Sequence, residues 1–343
     1  MNITFFIGNG FDINLGLKTK YIDFYPEYIK EFPLDTLAKE IKDEESDWSN
    51  LEWSLGQFLK EKFQDREEVF IQSKNRMDNA LSRYLIKESQ RKLIFDTDAA
   101  VEFQNRIAHL DQFLSRSDAE TYRNATGSIG NRIYYCFINF NYTNTLDQII
   151  EYSSKQINPF STHIGGGTSY HDVINPPIHI HGTTETELVL GVNDISQMSK
   201  HETISDELAL SMIKPEINDN LGNRRNEDVQ RIIDESKYII IYGMSIGSTD
   251  LKWWKSIFSW MKPDPARRLI IFHYSNDGAV ASGGQTAQRQ NSTRKKFFKT
   301  IDATEEEYNK HKKQVIVQIN SPIFSFEKIH IEKRNKDIEE GKI

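Results

Sequence analysis

Histidine and asparagine side chains occur in two short segments where their spacing could support catalysis. His179 and His181 alternate with isoleucines in Ile-His-Ile-His-Gly, and Asn139 and Asn141 are spaced in the same way in Ile-Asn-Phe-Asn-Tyr. Alternate residues of a β-strand point to the same face of a sheet, so each pair would present its side chains together. An amide at a strand end can hold a ribose hydroxyl or a water, and a histidine can act as a general base near neutral pH.

Other functions fit the same two segments. Thr143 or Asn144 could simply cap a following helix, although a cap needs only one such residue. The histidine pair could be a structural pair within a strand, or it could bind a metal together with His163 or His171. No aspartate or glutamate stands at a regular ligand spacing beside the pair, so metal binding is the least favoured of these interpretations.

A glycine turn follows the first apolar run of the chain. Gly8-Asn9-Gly10 lets the backbone turn sharply and approach a phosphate, and the helix after it would add amide donors and a favourable dipole. The complete dinucleotide fingerprint has a third glycine where Ile13 stands, and no Gly-Lys-Ser/Thr follows as in a P-loop. The turn is therefore either a partial nucleotide site or a purely structural feature.

Small and acidic residues mark two more candidate positions. Gly243 and Ser245 follow the apolar run Tyr-Ile-Ile-Ile-Tyr and could shape a nucleotide pocket, while Asp250 suits the first turn of the next helix. Glu52 lies in a helical segment and is either a ligand-binding carboxylate or an ordinary exposed glutamate.

Short apolar strands that alternate with helical segments must position these residues. The pattern predicts an α/β fold with a mostly parallel sheet and helices on both faces. The strands are expected at residues 3–7, 133–140, 178–181, 187–192, 238–242, 267–274 and 314–319. Helices are expected at 145–152, 204–213, 228–236 and 250–261, a basic helix before the last strand, and a glycine-rich loop at 161–170.

Residues 22–125 differ from the rest of the chain, because charged and apolar residues recur there at spacings of three and four. We interpret this part as a helical insertion into one α/β nucleotide-binding domain that covers residues 1–331. The charged tail at 332–343 is expected to fray.

Composition excludes several classes of function. The chain has 343 residues and a net charge of −7, which argues against a general nucleic-acid-binding surface. Cys136 is the only cysteine, so neither an intrachain disulfide nor an all-cysteine zinc site can form. No apolar stretch approaches the roughly 18 residues of a membrane span, so we expect a cytoplasmic protein without a membrane partner.

Taken in order, the motifs resemble the bacteriophage abortive-infection AbiH family of bacteria. They are Gly-x-Gly-Phe-Asp-x-Asn-x-Gly-Leu-Lys-Thr, Asn-Tyr-Thr-Asn-Thr-Leu-Asp, His-Ile-His-Gly and Tyr-Gly-Met-Ser-Ile-Gly-x-x-Asp, and they extend over most of the chain. The resemblance implies a role in defence against phage in the bacterial cytoplasm.

The same motifs are similar to the NAD site of sirtuin-like defence proteins, which implies a sirtuin-like Rossmann variant. On that similarity Asn141 and His181 match the catalytic residues, and the other motif positions match the cofactor-binding elements. The implied cofactor-binding residues are Gly8, Asn9, Gly10, Phe11, Asp12, Asn139, Gly243, Ser245 and Asp250.

The sequence departs from the sirtuin-like pattern at several positions. Asn9 replaces an alanine, Asn139-Phe140 replaces Thr-Thr, and Thr143 replaces an aspartate. The zinc-binding cysteines of protein deacylases are missing, which argues against deacylation.

The resemblance implies an NAD+ glycohydrolase, with NAD+ as substrate and no metal, that depletes NAD+ during infection. One alternative is a nucleotide-sensing regulatory module without chemistry, and another is a metal-dependent nuclease or phosphohydrolase built on His179 and His181. Partners left open by the sequence are a second copy of the chain, another protein of a defence system, and a phage-derived trigger.

Overall fold

A mostly parallel sheet forms the centre of the protein. The computed structural model describes residues 1–41, 48–63, 66–128, 130–199, 204–275 and 282–332. The main-sheet strands are β1 (Asn2–Ile7), β3 (Tyr134–Asn139), β4 (Ser161–Gly165), β5 (Thr168–Ile174), β6 (Ile178–His179), β7 (Ser236–Tyr242), β8 (Arg268–His273) and β9 (Val315–Ile319). A separate antiparallel pair joins β2 (Leu93–Ile94) to β10 (His330–Ile331).

The strand order is β4-β5-β3-β1-β7-β8-β9, and β6 extends the sheet beside β3. All pairings in the main sheet are parallel except that of β4 with β5. The first strand therefore lies in the middle, between β3 and β7. This arrangement confirms the predicted α/β class, and it brings the carboxyl ends of β1, β3 and β7 together at one edge.

Burial on both faces explains why the central strands are continuous apolar runs. Every residue of β1 is buried, with Ile3, Phe5 and Ile7 in one core and Phe6 in the core on the opposite face. The ring of Phe5 stacks on that of Phe137 in the neighbouring strand, at a centroid distance of 5.0 Å. Alternation along each strand thus fills two separate layers.

Helices cover both faces of the sheet and form an additional layer. They are α1 (Gly10–Asn14), α2 (Tyr21–Glu31), α3 (Thr36–Glu40), α4 (Trp48–Glu61), α5 (Glu67–Ser89), α6 (Thr97–Ala108), α7 (Arg116–Gly127), α8 (Thr145–Gln156), α9 (Asp206–Met212), α10 (Lys214–Asn220), α11 (Arg225–Glu235), α12 (Leu251–Met261), α13 (Gly283–Thr300) and α14 (Glu305–His311). Helices α6, α7 and α8 pack on the face that carries Phe5, and α11, α12 and α13 pack on the opposite face.

The described part of the segment predicted as a helical insertion is helical apart from β2, but it divides between two cores. Helices α2 to α5 share a core with residues 190–213, which contributes Leu190, Val192 and Met212. Helices α6 and α7 instead cover the sheet. The helical block built by α2 to α5 therefore packs against residues 190–213, which are distant from it in the sequence.

Two predictions of local structure were wrong. The glycine-rich loop at 161–170 is part of the antiparallel hairpin β4–β5, in which Gly166 and Gly167 adopt positive φ angles and form a two-residue turn. The strand predicted at 187–192 forms no ladder, because its backbone makes scattered bonds, such as Val189 N–H to the His181 carbonyl. Val192 forms only an isolated bridge to Ile213.

Three further predictions concern the single cysteine, membrane-spanning segments and the charged tail. Cys136 is buried in β3, as its apolar neighbours predict. Within the described ranges, no helix combines the length and apolar character needed to cross a membrane. The tail prediction falls on residues 333–343 outside the described residues, apart from Glu332.

Candidate functional site

A cavity of about 910 Å³ lies at the carboxyl ends of the central strands. Its wall includes Gly8 after β1, Asn141 after β3, Gly243 after β7 and His273 at the end of β8. The helical block adds Glu52 from α4. Open α/β sheets bind their ligands at this edge, so the cavity is the candidate site.

The glycine turn after β1 packs against the loop after β7. The Gly8 amide donates to the Tyr242 carbonyl at 2.9 Å, and the Gly10 amide donates to the Gly243 carbonyl at 2.8 Å. A Cβ atom on Gly10 would lie 2.6 Å from the Gly243 Cα atom, so only glycine fits there. The amides of Gly8 and Gly10 are already used in these bonds, so a phosphate at this turn must find other donors.

Substituting Gly243 tests this contact between the loops. Gly243 has a φ of 68°, and an added Cβ would lie 2.8 Å from the Phe11 amide nitrogen. We expect Gly243→Ala to lower the free energy of unfolding by about 2–3 kcal/mol, from backbone strain and overpacking together. Gly222→Ala is the matched control, because Gly222 has a similar φ of 66° with no atom within 4 Å.

We expect Gly222→Ala to cost about 1 kcal/mol in chemical denaturation, from its positive φ alone. Equal losses in the two variants would contradict the tight packing of Gly243 on the first turn.

Other residues of the first motif have separate roles. Asn9 lines the cavity, and its side chain donates to the Thr19 carbonyl at 2.8 Å and accepts from the Thr19 hydroxyl. Phe11 is fully buried against Phe324 and does not line the cavity, so its assignment as a cofactor-binding residue is not supported by its position. Ser245 lines the cavity.

The two asparagines at the end of β3 have different roles. The Asn139 side-chain oxygen accepts from the Asn141 amide nitrogen at 3.0 Å, and Asn139 does not line the cavity. Asn141 lines it and is 5% exposed, yet neither its Oδ1 nor its Nδ2 has a hydrogen-bond partner among the described residues. Leaving such a buried amide unpaired costs about 1–3 kcal/mol for each polar group, which points to a ligand or water there.

The two histidines take different partners. His179 Nδ1 donates to the Asn141 carbonyl at 2.8 Å, and its Nε2 lies 2.8 Å from Asp147 Oδ2. His181 lines the cavity instead, and its Nε2 lies 3.4 Å from Asp250 Oδ1. His179 therefore supports the loop that carries Asn141, and of these two histidines His181 is the one that a ligand can reach. In the described residues no cluster of three or more His, Cys, Asp or Glu side chains could hold a metal.

A buried group of charged side chains, formed by Lys214, Glu52 and Asp250, lies beside His181. The ammonium of Lys214 lies 2.9 Å from Glu52 Oε2 and 3.1 Å from Asp250 Oδ1. Glu52 is 5% exposed, which decides against an ordinary surface glutamate. Asp250, predicted as a cofactor ligand, lines the cavity and lies between Lys214 and His181.

The electrostatics of this group favour its charged form. Burial alone would raise the pKa of the Asp250 carboxyl, but Lys214 and the hydrogen bond with His181 hold it well below its usual range. Burial would lower the pKa of Lys214, but the charges of Asp250 and Glu52 raise it above the ordinary lysine value. Lys214 therefore helps to keep Asp250 ionised, and an ionised Asp250 can orient the imidazole of His181.

A third buried acid lies in the cavity wall and contacts the loop that carries Asn141. Asp12 in α1 lines the cavity, and its Oδ2 accepts a hydrogen bond of 2.5 Å from the Thr143 hydroxyl. Burial raises the pKa of the Asp12 carboxyl to about 7, although the bond from Thr143 opposes the shift. Thr143 is thus a partner of Asp12 and not a helix cap, a role that its sequence context did not indicate.

Comparison with known protein families gives a match over most of the chain. The family profile described as bacteriophage abortive infection AbiH matches residues 4–273, which is well over half of the chain. It includes the motifs that supply Gly8, Asn141, His181 and Gly243. No curated protein matches the chain.

Proposed function

This chain belongs to the bacteriophage abortive infection AbiH family, which assigns it to phage defence, and we propose that it acts by cleaving the nicotinamide–ribose bond of NAD+. The cleavage would deplete NAD+ in an infected cell. The proposed reaction depends on the chemistry that the cavity can support.

The observation that carries the proposal is the unpaired, buried amide of Asn141 in the same cavity as His181. An asparagine with both polar atoms free can accept from one hydroxyl and donate to another oxygen. A ribose or a water molecule offers such groups. The sirtuin-like order of the motifs favours the ribose of a nucleotide over other polyols.

The proposed reaction needs little beyond orientation and charge stabilisation. The bond between ribose C1′ and the nicotinamide nitrogen breaks, and its electron pair leaves with the neutral nicotinamide. The ribose then carries an oxocarbenium-like charge, and water adds to C1′ to give ADP-ribose and one proton. Enzymes accelerate such steps mainly by positioning and electrostatics.

Two side chains have defined tasks in this scheme. Asn141 orients the ribose or the attacking water. His181 accepts the proton, and because its Nε2 faces Asp250, Nδ1 is the nitrogen that remains to receive it. Asp250 holds the imidazole in place, as a buried carboxylate does for a general base.

Phage-challenged bacteria provide the test, because infection supplies any trigger. Cells that express the protein should lose NAD+ and gain ADP-ribose and nicotinamide, measured by mass spectrometry. Asn141→Ala and His181→Ala should each reduce product formation by about 100-fold or more. Asn124→Ala and His171→Ala are the matched controls, since both side chains are exposed and neither lines the cavity.

Unchanged NAD+ during protection, or equal protection by all four variants, would contradict the proposed reaction.

A second function is favoured by the turn after β1. The amides of Gly8 and Gly10 donate to the carbonyls of Tyr242 and Gly243. The turn therefore has fewer free hydrogen-bond donors for a substrate phosphate than a functional phosphate loop would have. A nucleotide-sensing module that catalyses no reaction would tolerate this shortage of donors. Such a protein would bind NAD+ or ADP-ribose without turnover, and His181→Ala would leave protection intact.

A further inference from the structure

Asp12 is a buried carboxylate with an unused oxygen in the cavity wall. It is 1% exposed, and its Oδ2 accepts from Thr143. Its Oδ1 has no hydrogen-bond partner among the described residues. Buried carboxylates are rare without a partner, so this oxygen is available for a group that enters the cavity.

The other two acids of the cavity do not share this property. Glu52 and Asp250 both contact the ammonium of Lys214, at 2.9 and 3.1 Å. Asp12 makes no salt bridge within the described part of the chain. When it is ionised, Asp12 is therefore the acid of the cavity wall that lacks a cation in contact with it.

We propose that Asp12 contacts the cationic nicotinamide–ribose end of NAD+ and makes the site select the oxidised, positively charged form of the dinucleotide. This inference rests on the proposed function. A carboxylate beside the pyrophosphate would repel it, whereas the nicotinamide ring carries the only positive charge of NAD+. The position agrees, because Thr143 joins Asp12 to the loop of Asn141, which holds the ribose in the proposed reaction.

The arrangement also accounts for one departure from the sirtuin-like pattern. Thr143 stands where that pattern has an aspartate, and the Asp12 carboxylate lies 2.5 Å from the Thr143 hydroxyl. A carboxylate is thus present at the same corner of the cavity, supplied by α1 in place of the loop after β3. The developing positive charge on the ribose would be stabilised by it as well.

Binding to two ligands that differ in charge at one ring tests the inference. Carbocyclic NAD+ is cationic and resists loss of nicotinamide, while NADH is neutral at the nicotinamide ring and otherwise differs only in having the ring oxygen of the nicotinamide ribose. At pH 8 the wild type should bind carbocyclic NAD+ about tenfold more tightly than NADH, measured by calorimetry. Asp12→Asn keeps the size of the side chain and should bring the two dissociation constants to within about twofold.

Asp98→Asn is the matched control. Asp98 forms a salt bridge with Lys328 at 2.7 Å and does not line the cavity. It should keep the tenfold preference. Circular dichroism and thermal unfolding of both variants show whether each is folded.

The outcomes separate the two proposals. Retention of the preference in Asp12→Asn, or equal binding of both ligands by the wild type, would overturn the role of Asp12. Binding of neither ligand would overturn both proposals. A preference that Asp12→Asn abolishes supports the role of Asp12, even where the wild type releases no nicotinamide from NAD+, which would contradict the proposed reaction alone.

Discussion

Lys214→Met is expected to lower the free energy of unfolding by about 3–5 kcal/mol, because it leaves two buried carboxylates without their cation. Glu52 and Asp250 both lie within about 3 Å of the Lys214 ammonium and are largely shielded from water. The methionine fills a similar volume, so the loss would come from charge and not from a cavity. Urea denaturation followed by circular dichroism measures it.

Lys155→Met is the control, since Lys155 forms an ion pair with Glu151 in which both side chains are 68% exposed. It should change stability by less than about 1 kcal/mol. Adding Glu52→Gln to Lys214→Met should recover at least about 1 kcal/mol, because one uncompensated charge is removed. A strictly additive double variant would show that Glu52 and Lys214 do not interact.

Asp12→Asn is expected to make the protein more stable at pH 8 by about 4 kcal/mol, while leaving stability at pH 4 nearly unchanged. Burial raises the pKa of Asp12 from 3.8 to about 7 in the fold, with the charges of His179 and Asp147 acting in opposite directions. Between pH 4 and pH 7 the unfolded chain has lost this proton and the folded chain keeps it. Rising pH therefore favours unfolding, and the full cost is present above pH 7.

Denaturation curves at intervals from pH 5 to pH 9 give the test as the difference between wild type and variant. This difference should grow up to about pH 7 and then stay constant. Asp98→Asn is the control, because the salt bridge with Lys328 lowers the pKa of Asp98 and its difference should be flat over this range. A flat difference for Asp12→Asn would mean that Asp12 is not desolvated. A carboxylate that weakens the fold is typical of a residue retained for function.

The sheet could be predicted because its strands are buried on both faces. Apolar runs such as those of β1 and β7 leave few alternatives, and both strands appear where the sequence indicates them. The hairpin β4–β5 was missed because polar residues dominate it, although the pair Gly166-Gly167 is a known signal for a two-residue hairpin turn. The segment at 187–192 is apolar for another reason, since Leu190 and Val192 pack on the helical block.

The candidate site was predictable only in part, because motifs mark strand ends but not the contacts between them. Asn141, His181 and Gly243 line one cavity, as their positions after parallel strands indicate. No local sequence pattern marked Lys214 as part of the site, because its partner Glu52 lies 162 residues away in the sequence. The bond between Asp12 and Thr143 spans 131 residues and was equally invisible.

The middle position of β1 has a consequence for the order in which the chain is synthesised. The first strand must wait for β3 and then for β7, and the cavity still lacks Asn320 and Ser325 when β7 has formed. At translation rates of about 5–20 residues per second, this interval lasts on the order of tens of seconds. A nascent chain would therefore carry an incomplete cavity wall until Asn320 and Ser325 have been added.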